Sequence, residues 1–392
     1  MLQTKATSKA YYKALGSLRE RLTFKPLVYG YSNARVRTMR TALLSRRQAE
    51  DMLKVHTNAA VAEYLMRTGY RDDFSHMPSG ISDAERVELA VSRNFARTAQ
   101  KLLRITPKQS RPSLLAFLGR YDIHNLKVIL LSKKIGKSDE EIRHLLMPAG
   151  SLTQAELSRI ISAKNAAEFY EAVRATKFGA RLLGSISLSR IPKERIRAAI
   201  AKPGFDGVQT EIILAAGDAY YYELAADFAH AGGHEAMQIA RLISAEADAK
   251  NVLTLLRMKR GGADKKSMLM SMVGGGQFSR IQFEKITAVK DVNEAAKLAS
   301  GFFISATGKA EFEAAQKSFL QDGQLSHLEV AFENSLARKS LKLLRRSMMS
   351  LGAIVGFLLL KEEEMNNIRK IVRGKELSLP IERISEMLII VG

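Results

Sequence analysis

The twelve residues Asp122-Ile-His-Asn125-Leu-Lys-Val-Ile-Leu-Leu-Ser-Lys133 return as Asp248-Ala-Lys-Asn251-Val-Leu-Thr-Leu-Leu-Arg-Met-Lys259, and again as Glu364-Met-Asn-Asn367-Ile-Arg-Lys-Ile-Val-Arg-Gly-Lys375. Each copy sets an acid three residues before an Asn, apolar residues one, four and five after it, and a Lys eight after it. That spacing gives a helix with an acidic start, one apolar stripe and a basic end, the charge order that the helix dipole favours. A pattern recurring at wide, near-regular intervals is the mark of a repeated structural unit. The Asn residues lie 126 and 116 apart, close to the usual size of one folding unit.

Reading outward, three windows of equal length, Leu53–Tyr70, Ile161–Phe178 and Ile286–Phe303, are apolar at both ends. Met147-Pro-Ala-Gly150-Ser-Leu precedes the second and Met272-Val-Gly-Gly-Gly276-Gln-Phe the third. Asn33 opens a more degenerate first copy, with Arg35 and Arg37 where the others are apolar, and Pro380–Leu388 reads as an opening helix of a further unit. Ser82/Glu85, Ser138/Glu141 and Thr153/Glu156 have the spacing of capping boxes at helix starts. Glycines near 136 and 261 mark breaks. The expectation is an all-α chain of three similar helical-bundle units in tandem, 1–136 (with 1–28 as a variable extension), 137–262 and 263–392. No strand series is convincing, and the repeated acid and Asn admit two readings: capping and bonding across helices near a core, or three Asn helices on a common inner wall about a pseudo-threefold axis.

Composition narrows the function. There is no cysteine, which excludes disulfides, thiolate metal sites and cysteine nucleophiles. The Gly-rich runs fit neither G-x-x-x-x-G-K-[ST] nor a strand-led G-x-G-x-x-G. His230 and His234 have ligand spacing, but Ala231 stands where a metalloprotease has Glu, and Gly232-Gly233 interrupts the helix. Gly184-Ser-Ile-Ser187 lacks the last glycine of a nucleophile elbow. No catalytic, cofactor or metal site is therefore expected. The start of the chain has no apolar h-region of a signal peptide, and Leu351–Leu360 is half the length of a membrane span.

Charge supplies the positive signal. Lys plus Arg number 61 against 40 Asp plus Glu, a net +21. Eleven of those cations fall in residues 1–50, and Arg338, Lys342, Arg345 and Arg346 share one helical side, beside Lys339. Such an excess suits nucleic acid, an anionic membrane surface or an acidic protein. No RNP motif, zinc-finger spacing or basic zipper supports the first, and the adjacent Tyr220, Tyr221 and Tyr222 splay around a helix rather than form a stacking platform. Nucleic-acid binding is the alternative on electrostatics alone.

Three motifs in order carry a resemblance. Tyr31-Ser-Asn-Ala-Arg-Val-Arg37, Arg120-Tyr-Asp-Ile-His-Asn-Leu-Lys127, and Val355-Gly-Phe-Leu-Leu-Leu-Lys361-Glu-Glu-Glu-Met-Asn-Asn-Ile-Arg369 with Arg373-Gly-Lys375 resemble the signatures of the C subunits of archaeal A-type (V/A-type) ATP synthases, the family that includes the d subunits of V-ATPases. Phe357 departs from the usual Tyr. The resemblance runs from about Tyr31 to the end. It implies a non-enzymatic central-stalk or rotor adaptor: a funnel-shaped helical socket on the membrane ring of ion-translocating subunits, seating the D and F stalk subunits and passing torque between ion flow and ATP turnover. It implies a peripheral position on the cytoplasmic face of the cell membrane, near its anionic surface. Arg35, Arg37, Arg40, Lys361, Arg369 and Arg373 are the expected partner contacts, with the repeated acids and amides Asp122, Asn125, Asp248, Asn251, Glu364 and Asn367. The alternative for the charged residues is intrachain pairing, such as Lys361 with Glu364 or Glu362 with Arg369. For the Asp/Asn pairs it is capping and bonding across helices near the core.

Overall fold

In a computed structural model the structure describes residues 25–186, 204–205, 234–303, 309–347 and 349–389, with Gly217, Tyr220, Leu224 and Asp227. Among these the chain is helical, with no strand. In order the helices are α1 (Lys25–Thr41), α2 (Arg46–Lys54), α3 (Asn58–Met66), α4 (Asp83–Ile105), α5 (Arg111–Lys134), α6 (Asp139–Leu145), α7 (Gln154–Ile161), α8 (Ala166–Arg174) and α9 (Lys177–Ile186). Then come α10 (His234–Arg260), α11 (Lys265–Met270), α12 (Arg280–Ala288), α13 (Val292–Phe303), α14 (Lys309–Asp322), α15 (Ser326–Arg346), α16 (Leu351–Glu376) and α17 (Ile381–Met387). His230, Tyr221 and Tyr222 lie outside the described residues.

The three long Asn helices are α5, α10 and α16, and each is followed by a short helix and a loop. Their ends share one device. The N–H of Gly136 bonds Lys133 O and that of Lys137 bonds Ser132 O; Gly262 and Ala263 repeat this on Lys259 and Met258, and Ser378 and Leu379 on Lys375 and Gly374. This pair of hydrogen bonds is the Schellman closure, whose central residue needs a left-handed backbone. Gly136 (φ 77°) and Gly262 (φ 73°) supply it without cost, while Ser378 holds φ 53° with a Cβ in place.

These turns end helices, and contacts cross them. Beyond each turn the Asn side chain of the preceding helix grips the backbone 22 residues on. Asn125 donates to Met147 O (2.9 Å) and accepts from Met147 N–H (2.8 Å). Asn251 holds Val273 in the same way (2.9 and 2.7 Å), and Asn367 holds Ile389 (2.7 and 2.9 Å). A bracket of this kind binds each long helix to the segment after it. One apolar core accordingly runs from Ala249 to Phe332, drawn from α10 to α15, straight across the break expected at 262/263. The other joins α1–α9 with α16, parts of α10 and α15, and the last helix. Asn33 makes no such bracket. It bonds Tyr29 O and accepts the N–H of Met349, so the expected first copy is a different contact.

The three expected capping boxes form, and Ser45/Gln48 and Ser279/Gln282 add two more. Leu351–Leu360 is buried on all sides as the first turns of α16, and among the described residues no helix is long and apolar enough to cross a membrane. Replacing Ser378 by Gly should stabilise the protein by about 0.5–1 kcal/mol, read as a rise in thermal midpoint, because it removes the Cβ from a left-handed position. An unchanged or lowered midpoint would mean that the Ser378 side chain repays that strain.

Candidate functional site

The site is built from the Asn helices, beginning with the acid three residues before each Asn. Asp122 accepts the N–H of Ser151 (2.7 Å), its hydroxyl (2.8 Å) and the N–H of Leu152 (3.0 Å). Asp248 accepts the N–H of Gln277 (2.8 Å) and Phe278 (3.1 Å). Both carboxylates occupy the space over a glycine: a Cβ on Gly150 would collide with Asp122 Oδ1, and one on Gly276 with Asp248 Oδ1. That close approach explains Gly150 and Gly276 in the two quoted loops. Glu364 instead accepts the N–H of Leu44 and the Tyr70 hydroxyl, and pairs with Lys361.

Asp122, Asn125, Asp248 and Asn251 are thus buried, and their side chains hold loops. Burial raises both aspartates to about 6, against the pull of the hydrogen bonds they accept.

Five residues before the repeated Asn stand Arg120, Glu246 and Glu362, on three different helices. They meet. Arg120 donates through Nη1 to Glu246 (2.8 Å) and through Nη2 to Glu362 (2.5 Å), with side-chain exposures of 9%, 19% and 22%. The guanidinium also lies 4.6 Å from the centre of the Phe117 ring and 5.4 Å from that of Tyr121. Sequence reading passed over this cluster. The signal was available in the repeat: extending each copy back two residues aligns one cation with two anions.

Next to it the charge balance is uneven. Glu363 is pushed up to about 8 by burial first, then by Glu333 and Glu362, with Glu246 adding and Lys370 opposing. Its Oε2 is buried without a hydrogen-bond partner. Lys370 pairs with Glu333 at 2.6 Å. Burial also raises Glu246 and the Tyr121 hydroxyl.

Along the same helix faces, one turn and more beyond the cluster, come His124, Lys127 and Leu131 on α5, Lys250 and Arg257 on α10, and Arg369 and Arg373 on α16. His124 reaches solvent, yet surrounding protein and then Arg369 and Lys127 push its imidazole down. Arg369 donates to Ser92 Oγ (2.8 Å), so Glu362 pairs with Arg120 rather than with Arg369. Arg373 is raised by its bonds to Glu88, with Glu376 adding. The expected Lys361–Glu364 pair is present at 2.5 Å, beneath the Tyr70 ring. On α1, Arg37 and Arg40 are exposed, whereas the Arg35 Nε is buried with no hydrogen-bond partner. Arg338, Lys342, Arg345 and Arg346 form an exposed row on α15 while Leu343 and Leu344 face inward. Among the described residues no group of three or more His, Asp or Glu is placed to hold a metal.

Comparison with known proteins gives one consistent picture. A family model described as ATP synthase (C/AC39) subunit matches residues 32–387. The A-type ATP synthase C subunit of Methanosarcina acetivorans is 27% identical over 367 residues, covering 93% of each chain. Those of Thermoplasma acidophilum and Haloferax volcanii are 24% and 26% identical, each covering 92% of this chain and 97% of the relative.

Glu363 yields a test. A carboxyl whose folded value is raised binds more protons folded than unfolded, so stability falls as pH rises from about 4.5 through about 8. Glu363→Gln removes that loss. The variant should gain up to a few kcal/mol on the native protein between pH 6 and pH 9, measured by denaturant unfolding at both values. Parallel curves for the two proteins would show that Glu363 is not held protonated.

Proposed function

The chain belongs to the ATP synthase (C/AC39) subunit family, and from that membership we propose that it is the central-stalk adaptor of a rotary A-type ATP synthase, a non-catalytic subunit. It seats the stalk, including the D and F subunits, on the membrane ring of ion-translocating subunits and carries torque between them. In this reading it sits peripherally on the cytoplasmic face.

One observation supports the reading most: Arg120, Glu246 and Glu362 hold the same position in three copies of one helix and are joined in a single ion cluster. Three related elements touching through equivalent residues suit a pseudo-threefold body with an axis at that cluster. Beyond it the helices carry exposed Leu131, Ile135 and Leu377, beside Arg257 paired with Glu329 and Arg373 paired with Glu88 and Glu376. Apolar tips among ion pairs are suited to the amphipathic end of a shaft. The exposed row on α15 and the exposed Arg37 and Arg40 give a basic surface. Near an anionic membrane each such cation adds about 1 kcal/mol of attraction. Nucleic-acid binding, the alternative on charge, gains no specific support. Arg93, Arg97, Arg111 and Arg120, which would be free to meet phosphates in that reading, bond to the protein itself.

Copurification with the stalk and ring subunits tests the assignment, and a variant tests the cluster. Arg120→Met leaves two partly buried carboxylates without their cation and should cost about 3 kcal/mol of stability. In reconstituted vesicles that variant complex should hydrolyse ATP while pumping fewer ions per ATP. Ion pumping per ATP equal to that of the native complex, in a variant complex that assembles, would remove the cluster from the torque path. Ring binding should also weaken as salt rises from about 50 to 500 mM; binding indifferent to ionic strength would count against an electrostatic dock.

A further inference from the structure

Two of the three repeated modules are complete within a continuous stretch of chain. After α5 come α6, the loop held by Asn125 and Asp122, then α7 and α8. After α10 come α11, the loop held by Asn251 and Asp248, then α12 and α13. After α16 come α17 and Ile389, held by Asn367, at the end of the described residues.

The equivalent contacts of α16 are made near the start of the chain. Asp122 takes the N–H of Leu152, which precedes the N-cap Thr153, and Asp248 that of Phe278, which precedes the N-cap Ser279. Glu364 takes the N–H of Leu44, which precedes the N-cap Ser45. Lys259 donates to Thr287 O and Val289 O at the end of α12; Lys375 donates to Leu53 O and Val55 O at the end of α2. Helices α2 and α12 have the same length, the same Ser/Gln capping box and a Val C-cap. Asn58, at the start of α3, reaches back to Val372 O (3.2 Å).

We propose that residues 44–66 are the second half of the module begun by residues 351–389, so that the three modules close on one another through a noncovalent interlock. The first helices of the chain and its last long helix then form one unit, supported further by Tyr70 against Lys361 and Glu364 and by Glu88 against Arg373. An open row of three modules would splay at its gap under load, and the interlock removes the gap. That mechanical consequence rests on the adaptor reading; the interlock itself does not.

Hydrogen exchange on the isolated full-length protein separates the two. In Lys375→Met, exchange in residues 46–55, some 320 positions away, should rise about tenfold, while residues 280–289 keep native protection. A rise confined to residues 376–389 would overturn the proposal. A circular permutant supplies the second measurement: residue 392 is joined to residue 1 by a flexible linker and the chain is opened at Gly275, the equivalent of the gap between Ile389 and Leu44. It should unfold within a few degrees of the native protein. Failure to fold, where the unpermuted chain tolerates a five-residue insertion at Gly275, would overturn it as well.

Discussion

A carboxylate and a carboxamide three residues apart on one helix hold the backbone of the loop beyond it, and the architecture depends on this grip. The backbone groups it satisfies are wholly or partly buried, and a buried amide left unpaired costs about 1–3 kcal/mol. The Asn is suited to a residue whose N–H and C=O both need partners, because it alone offers a donor and an acceptor at that reach. The acid is suited to two successive N–H groups at a helix start, where the dipole also favours negative charge. The devices then fix their surroundings: the glycine under the carboxylate of Asp122 and Asp248, the capped helix that follows, and in two copies the Lys (Lys259, Lys375) that bonds that helix's far end.

Apolar stripes alone would not give such a fixed relation. Helices packed by side-chain ridges slide and rotate by small amounts at little cost. Directional bonds from Asn125, Asn251 and Asn367 forbid that slide, since a shift of one residue breaks two of them at once. The Arg120 cluster acts in the same way between modules. Three identical charges at equivalent positions would repel, and three apolar residues would leave the order of modules unspecified. One cation between two anions attracts and is not interchangeable, so it can fix which module stands where.

Much of this was legible in the sequence. The Asn pattern, the capping boxes and the glycine closures are local, and local chemistry is written in neighbouring residues. Gly150 and Gly276 stood in the quoted loops, but only the position of the carboxylates explains them. Contacts also cross the expected break at 262/263, for a related reason. A glycine reports that a helix ends, not that packing ends, and the bond that carries the module across it runs from an Asn 22 residues away. Arg120, Glu246 and Glu362 escaped notice because a charged residue 126 or 242 positions from its partner looks like any solvated charge. Asn33 misled in the opposite sense: residue type matched the pattern, but its partners did not.

The large positive charge divides along similar lines. A cation on a helix end has two uses, and the structure separates them. Lys259 and Lys375 are spent on carbonyl oxygens, and burial lowers the affinity of both for their protons, as expected of ammonium groups drawn into packing. Arg373 is spent on Glu88 and Glu376, and Arg120 on two glutamates. Such cations hold the body together and say nothing of partners, so the net +21 overstates the charge that a partner meets. The cations that reach the surface in a row are those on one side of α15 and part of α1, on the outer faces of helices whose other side is core. A body whose own ion pairs lock its modules keeps that lock whatever its surface cations do, because the two sets lie on different faces of the helices.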